Sequence, residues 1–307
     1  MPDGRGAAPS GLLLLRKQAG LTSFEALGAV KRALGTGKAG HTGTLDKFAE
    51  GLLLVLTGRA LKLSPWFSHC DKQYEGLIRF GIETDTLDPE GEAVAEAAVP
   101  SREAVEKILP RFSGEIMQAP PVYSAIHIDG KRASSLARLG ETPEMKKRPV
   151  RIYRLELLLW EPPFARIFVH CSGGTYIRSL ARDIALAAGS RAYLRALTRT
   201  KVAGFRLEDA VSGESFTLRP IDKVVFIALG LPWFEIEPQN IKNIIQGKLL
   251  SHILADKSLV FPSVPPCETS PITAAGIFSG DSFIAMVEKD NGRWKYGYVY
   301  AESSYPV

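Results

Sequence analysis

Cysteine is scarce in this 307-residue chain, which holds only Cys70, Cys171 and Cys267, far apart and in no C-x-x-C pair. That spacing argues against a zinc knuckle or a redox dithiol, and an odd count argues against a disulfide framework. A reducing cytosol is the expected setting. Long apolar runs are missing as well. Leu12 to Leu15 is far too short for a signal-peptide core, and no stretch approaches membrane-spanning length. The expectation is a soluble cytoplasmic protein. Nucleotide and metal signatures are lacking too. The nearest match to a phosphate loop ends at Gly37-Lys38, but Arg32 stands where the first glycine belongs, and Ala39 offers no hydroxyl. Glu83, Asp85, Asp88 and Glu90 crowd into eight residues without the spacing of a calcium loop. No cofactor and no metal are expected, and no internal repeat is found.

Charge is present and unevenly spread. The chain carries a net +5 with a pI near 9.0, a weak pointer to an anionic partner. Residues 1–206 hold 30 Lys and Arg against 21 Asp and Glu, whereas 207–307 hold 8 against 12. A polyanion is therefore expected on the first two-thirds. Residues 175–206 are densest, with seven cations and one acid, Asp183. Residues 129–154 hold eight cations and three acids, broken by Gly130, Gly140, Pro143 and Pro149. Such a run is commonly a solvated face; it also suits a mobile arm that closes over phosphates. The length allows one large domain or two, and 45% apolar residues suffice for a core.

Periodicity places the elements. Residues 1–10 are polar and rich in Gly and Pro, and are expected to be disordered. Leu12 to Leu15 is expected as a buried strand. Thr22-Ser23 caps a helix with Phe24, Leu27, Val30 and Leu34 on one face, stopped by Gly35 and Gly37. Tyr74, Ile78 and Phe80 alternate on one strand face. Ser101 caps a short helix ended by Pro110. Leu155 to Trp160 and Arg166 to Cys171 form adjacent strands. His170-Cys171-Ser172 suggests a thiol nucleophile, but a Cys at the end of an alternating strand is more often buried and inert. Gly173-Gly174 leads into a helix with Ile177, Leu180, Ala181 and Ile184 inward. Pro232-Trp-Phe reads as a linker. A short helix over Ile241 to Leu250, ending near Gly247, is expected to follow. Short strands are then expected at Ser258 to Phe261, Ala274 to Ile277, Phe283 to Val287 and Tyr296 to Tyr300.

Between the first helix and the apolar run Leu52 to Leu56 lies Gly40-His41-Thr42-Gly43-Thr44-Leu45-Asp46. Asp46 is the one side chain there able to act as nucleophile or base unaided. By type alone, a Gly-rich loop ending in Asp is more often a turn or a cap. The wider pattern outweighs that prior. This loop, with Ala49 and Gly51-Leu-Leu, resembles the active-site motif of the bacterial tRNA pseudouridine-55 synthases. Lys72-Gln-Tyr74 is similar to the Tyr-bearing strand of that family. Arg79-Phe-Gly81 with Thr84-Asp-Thr-Leu-Asp88 is similar to the turn after it. Gln118-Ala-Pro-Pro-Val-Tyr-Ser-Ala125, Gly174-Thr-Tyr176-Ile-Arg178 and Leu194-Arg-Ala-Leu197 resemble further blocks. All occur in family order over residues 11–206.

The resemblance implies an α+β fold with a mixed, largely antiparallel sheet flanked by helices. It implies a catalytic domain over 11–232 with a thumb-like insertion at about 121–148, and a small β-rich PUA-type RNA-binding domain over 233–307. It implies isomerisation of uridine 55 in the tRNA T loop to pseudouridine by covalent catalysis through Asp46. Attack on the sugar, attack on the ring and a glycal route all stay open. Arg178 would pair with Asp46. Tyr74 would stack on the flipped base, and His41 would fill the vacated space or hold the nucleotide. Tyr176 and Leu194 would complete the pocket, and Asp88 would contact RNA or orient a neighbour. Lys17 belongs to a turn where Gln18 replaces the family's proline, and Lys62 to an RNA-facing side. Lys47, His127 and Ser134-Ser135 depart from the family pattern. The expected partner is tRNA through its T stem-loop, with no membrane, no obligate protein partner and a monomeric enzyme. Rival readings are a non-catalytic RNA-folding helper and a sister synthase acting on other RNAs.

Overall fold

The computed structural model describes residues 8–124, 126–128, 130–139, 141, 143–212, 215–263 and 273–301. Residues 1–7 of the expected disordered start, and Cys267, lie outside them.

The framework is a nine-stranded sheet. Along its main path the strands run Gly11–Lys17, Glu50–Thr57, Ala192–Val202, Lys72–Phe80, Phe164–Cys171, Arg148–Glu161 and Gly114–Gln118. Every neighbour on that path is antiparallel except Ala192–Val202 against Glu50–Thr57. The expected mixed, largely antiparallel sheet is what the chain forms.

The leucine runs have a physical reason. A strand buried on one face alternates, and a strand buried on both faces reads as a continuous apolar run. Leu12, Leu14, Leu52, Leu54 and Leu56 enter one core cluster. Leu13, Leu15, Leu53 and Val55 enter another, beneath helix Ser23–Ala33. That helix starts at a capping box between Thr22 and Glu25. Its inward face departs from the expected one: Leu27 and Val30 are buried, but Phe24 is 73% exposed with Lys31 over its ring. Ser23 turns inward instead, for a reason given below. Helix Ile177–Ala187 packs Ile177, Leu180, Ala181 and Ile184 onto the central strands, as its spacing predicts.

The C-terminal part forms a four-stranded sheet of Trp233–Glu235, Ala274–Ser279, Ser282–Asp290 and Arg293–Val299. Two expectations fail here. Pro232-Trp-Phe is no linker, because Trp233 and Phe234 are buried and begin a strand. Ser258 to Phe261 supplies only an isolated bridge from Val260 to Trp233. The expected short helix stops near Gly247 as its sequence indicates: Ile241–Ile245 ends before Gly247, whose φ is +70°, and a second short helix, Leu250–Ile253, follows. The small sheet has its own core, yet Trp233, Phe278, Phe283 and Met286 share the core of the first strands. The fit is close: a Cβ at Gly297 would lie 3.0 Å from the Trp66 ring.

Candidate active site

A cleft of about 670 Å³ opens beside the sheet, and residues 41–47 form one side of it. This loop is tied down by its carbonyls. Buried Ser23 donates its hydroxyl to Leu45 O at 3.0 Å and accepts from Leu45 N at 2.9 Å. Buried Arg199 donates from Nη2 to Gly43 O at 3.0 Å and from Nε to Leu52 O at 2.7 Å. Buried Lys17 donates to the carbonyls of Lys47 and Ala49. Gly51 lets the strand after the loop pass Arg199: its φ is +111°, and a Cβ there would lie 2.4 Å from Arg199 O. With its backbone fixed from several sides, the loop leaves the Asp46 carboxylate free to face the cleft.

Arg178 reaches that carboxylate from the first turn of its helix. Its Nη2 donates to Asp46 Oδ1 at 3.1 Å, and Nε lies 2.9 Å from Oδ2 with its N–H aimed off the line between them. The guanidinium is itself clamped. Nη1 donates to Asp88 Oδ2 at 3.0 Å and Thr86 O at 2.7 Å, and Nη2 donates to Tyr123 O at 3.0 Å. The side chain of Arg178 is 4% exposed and that of Asp46 36%. Burial pushes the Asp46 carboxyl above the ordinary carboxylate range; Arg178 opposes the shift and the Asp88 charge adds to it. The site therefore holds a carboxylate whose charge costs energy and whose orientation is enforced by one cation.

Tyr74 and Tyr176 also line the cleft. Burial pushes the Tyr74 hydroxyl up to about 12, so it keeps its proton at neutral pH and offers a ring and a donor. His41 lines the cleft with its pKa lowered, first by burial and then by Arg199, which leaves a neutral imidazole at pH 7. Tyr176 precedes the Arg178 helix; Gln118 holds its backbone N–H at 2.9 Å and its carbonyl at 3.1 Å. Arg148 stacks over its ring at 5.1 Å and donates to Gly174 O at 2.8 Å. Arg132, from the short hairpin of His127–Ile128 and Lys131–Arg132, reaches the cleft as well. The side chains of His127 and Ser134 lie outside what the structure describes.

Leu194 and Lys17 do not line the cleft, Asp88 takes one of its two expected roles, and Lys62 lies outside the lining. Leu194 is fully buried in the core, and Leu197 lines the cleft in its place. A bulge between Leu194 and Ala196 shifts the alternation of the strand, and a repeating pattern cannot show that. Lys17 is buried beneath the loop, with its ammonium on carbonyls, and has no surface for RNA. Desolvation lowers its pKa to about 8. Asp88 has both oxygens engaged: Oδ1 accepts from the Thr86 hydroxyl at 2.6 Å and Glu90 N at 3.0 Å, and Oδ2 accepts from Arg178. It orients a neighbour and presents no free edge to RNA. Lys62 is exposed on the turn Gly58–Leu63, outside the cleft lining. The Cys171 thiol is buried and pushed up to about 12, which makes it inert. Arg199 went unrecognised in the sequence except as one of seven cations in a dense stretch.

Residues 31–177 match the model of the TruB family pseudouridylate synthase N-terminal domain. The tRNA pseudouridine synthase B of Treponema denticola is 50% identical over 214 residues, 63% of this chain and 60% of that protein's length. The Borreliella burgdorferi protein of the same name is 46% identical over 211 residues, 68% of this chain and 75% of that one. In Azoarcus sp. the match is 43% over 248 residues, 78% of this chain and 83% of the relative. The chain belongs to the TruB family of pseudouridylate synthases. Among solved structures, a chain of the archaeal box H/ACA sRNP Nop10-Cbf5 complex superposes with a TM-score of 0.70 at 20% identity, covering 100% of this chain and 92% of that one. A chain of a Cbf5-Nop10-Gar1 complex gives 0.68 at 21%, covering 95% and 84%. At those identities the likeness shows a shared fold.

Proposed function

We propose that this chain isomerises uridine 55 in the T loop of tRNA to pseudouridine, acting as a monomer. The observation that carries the proposal is Asp46: a loop carboxylate on a fixed backbone, gripped by a buried guanidinium and facing a cleft that also holds the ring of Tyr74. The relatives named tRNA pseudouridine synthase B support the substrate. In the reaction the N1–C1′ bond breaks, the C5–C1′ bond forms, C5 releases a proton and N1 gains one. Substrate and product are isomers, so no external oxidant enters the balance. The base leaves its stack at a cost of roughly a few kcal/mol, least in a loop whose bases are already splayed. Tyr74 then stacks on it and Asp46 acts as the covalent or basic group. Arg178 fixes the carboxylate direction, and Asp88 fixes Arg178. Arg132 and Arg148 close on phosphates from the arm, and the C-terminal sheet is read as a PUA-type module that adds RNA contacts.

The test is tritium release from RNA labelled at C5 of uridine. Asp46→Asn is expected to lower release by about 10⁴-fold or more, the scale seen when a nucleophile is removed. Its fold is expected to persist, because the ionised carboxylate is disfavoured by burial. Wild-type binding without release, or release surviving in Asp46→Asn, defeats the proposal.

A further inference from the structure

The cleft walls differ in charge. Within the lining, Arg178 meets Asp46 and Asp88, and Lys47 lies 3.7 Å from Glu90, so each of these cations faces an acid. A second group of lining residues is Gly43, Ser68, Lys72, Gly174 and Arg199. Its pieces are contiguous. A Cβ at Gly43 would stand 3.7 Å from both Lys72 Cε and Arg199 Nη1, and a Cβ at Gly173 would lie 2.7 Å from His69 O. Both cations are buried, and among the described residues neither pairs with a carboxylate. Arg199 spends its donors on the carbonyls of Gly43 and Thr44 in the loop and of Leu52 in the strand after it. Lys72 donates to Ser68 O at 3.0 Å and to Cys70 O, which leaves one of its three N–H donors for the cleft. These two buried cations, held by carbonyls and without a carboxylate in ion-pair range among the described residues, sit in low dielectric, where a ligand charge of opposite sign is attracted strongly; burial, with the Arg199 charge, holds the Lys72 pKa below its ordinary value, and an anion beside it would raise it.

We propose that Lys72, in the field of Arg199, forms a phosphate subsite that takes a phosphodiester flanking the flipped nucleotide. The proposal rests on the synthase reading above, and it adds a binding role for a lysine two residues before Tyr74. With the base held between Tyr74 and Asp46, the sugar–phosphate backbone of the same nucleotide runs along the basic wall.

The experiment measures dissociation constants for a T-arm hairpin RNA over a salt series. Lys72→Gln keeps amide donors for the Ser68 and Cys70 carbonyls and removes the charge. Its affinity is expected to fall about tenfold at low salt, and the slope of log Kd against log salt to flatten by about 0.7–0.9, one phosphate contact. Lys72→Arg is expected to restore the slope. An unchanged slope in folded Lys72→Gln overturns the proposal and leaves Lys72 a tether for carbonyls. A wild-type measurement stands independently of folding: uridine 3′- or 5′-monophosphate should bind at least about fivefold more tightly than uridine, and equal affinities overturn the subsite. Tritium release reads the synthase reaction separately: absence of release with a flattened slope removes the proposed function and keeps the subsite.

Discussion

The segment from Thr42 to Ala49 and the arm from Ile126 to Arg148 reach one cleft by different means. The first has its carbonyls on Ser23, Lys17 and Arg199, all buried, and its charged group aimed by Arg178. The second meets the cleft through exposed Arg132 and through Arg148, which rests on Tyr176 and Gly174 O. Groups that must sit within tenths of an ångström of a reacting atom are pre-positioned by packing. Groups that only gather phosphates work through long-range, salt-screened attraction and tolerate movement. The contrast suits a rigid reacting centre under an adjustable clamp.

Several changes would break or sharpen that contrast. The largest effect belongs to the carboxylate's partner. Arg178→Lys keeps one charge but loses the fork that spans Asp46, Asp88 and the Tyr123 carbonyl; kcat is expected to fall by about 10²-fold or more, with binding of RNA little altered. Near-wild-type turnover would place the rigidity elsewhere. Next comes the loop itself. Ser23→Ala removes both bonds to Leu45 in a buried setting, at a cost of about 1–3 kcal/mol in stability. Tm is expected to drop and kcat to fall several-fold in parallel; a Tm loss with kcat intact would show that the loop does not need this tie.

A smaller effect should follow from pH. Lys17 has a folded pKa of about 8 against an ordinary 10.5. Between those values the unfolded chain holds a proton that the folded chain has released, so stability from this group rises with pH. The same release weakens the donors on Lys47 O and Ala49 O. The rate is therefore expected to decline above pH 8 while the thermal midpoint shows no matching loss, and a flat rate profile to pH 9.5 would sever Lys17 from loop order. The mildest change is Arg132→Ala in the arm, expected to raise Kd by about threefold at low salt and leave kcat unchanged. A drop in kcat instead would make the arm part of the reacting centre.

Asp46, Tyr74 and Arg178 were legible as a set because block order and residue type survive in a linear string, and the cleft brings all three together. The strands were legible where burial follows a period, as in Lys72–Phe80. Leu197 was not, because the bulge after Leu194 shifts the register without leaving a mark in composition. The anchoring roles of Lys17 and Arg199 were not legible, since a buried cation on carbonyls looks the same in sequence as a solvated one. Phe24 shows the reverse failure: helical spacing pointed it inward, but the loop's need for Ser23 turned that face by one residue.

The core shared by Leu12, Leu52 and Leu56 with Phe278, Phe283 and Met286 has a consequence for biosynthesis. As the chain leaves the ribosome, its first strands wait for side chains more than two hundred residues away before their hydrophobic face is covered. A premature stop near residue 232 would thus yield a sticky, chaperone-dependent fragment, even though Asp46, Arg178 and Tyr74 had all been translated.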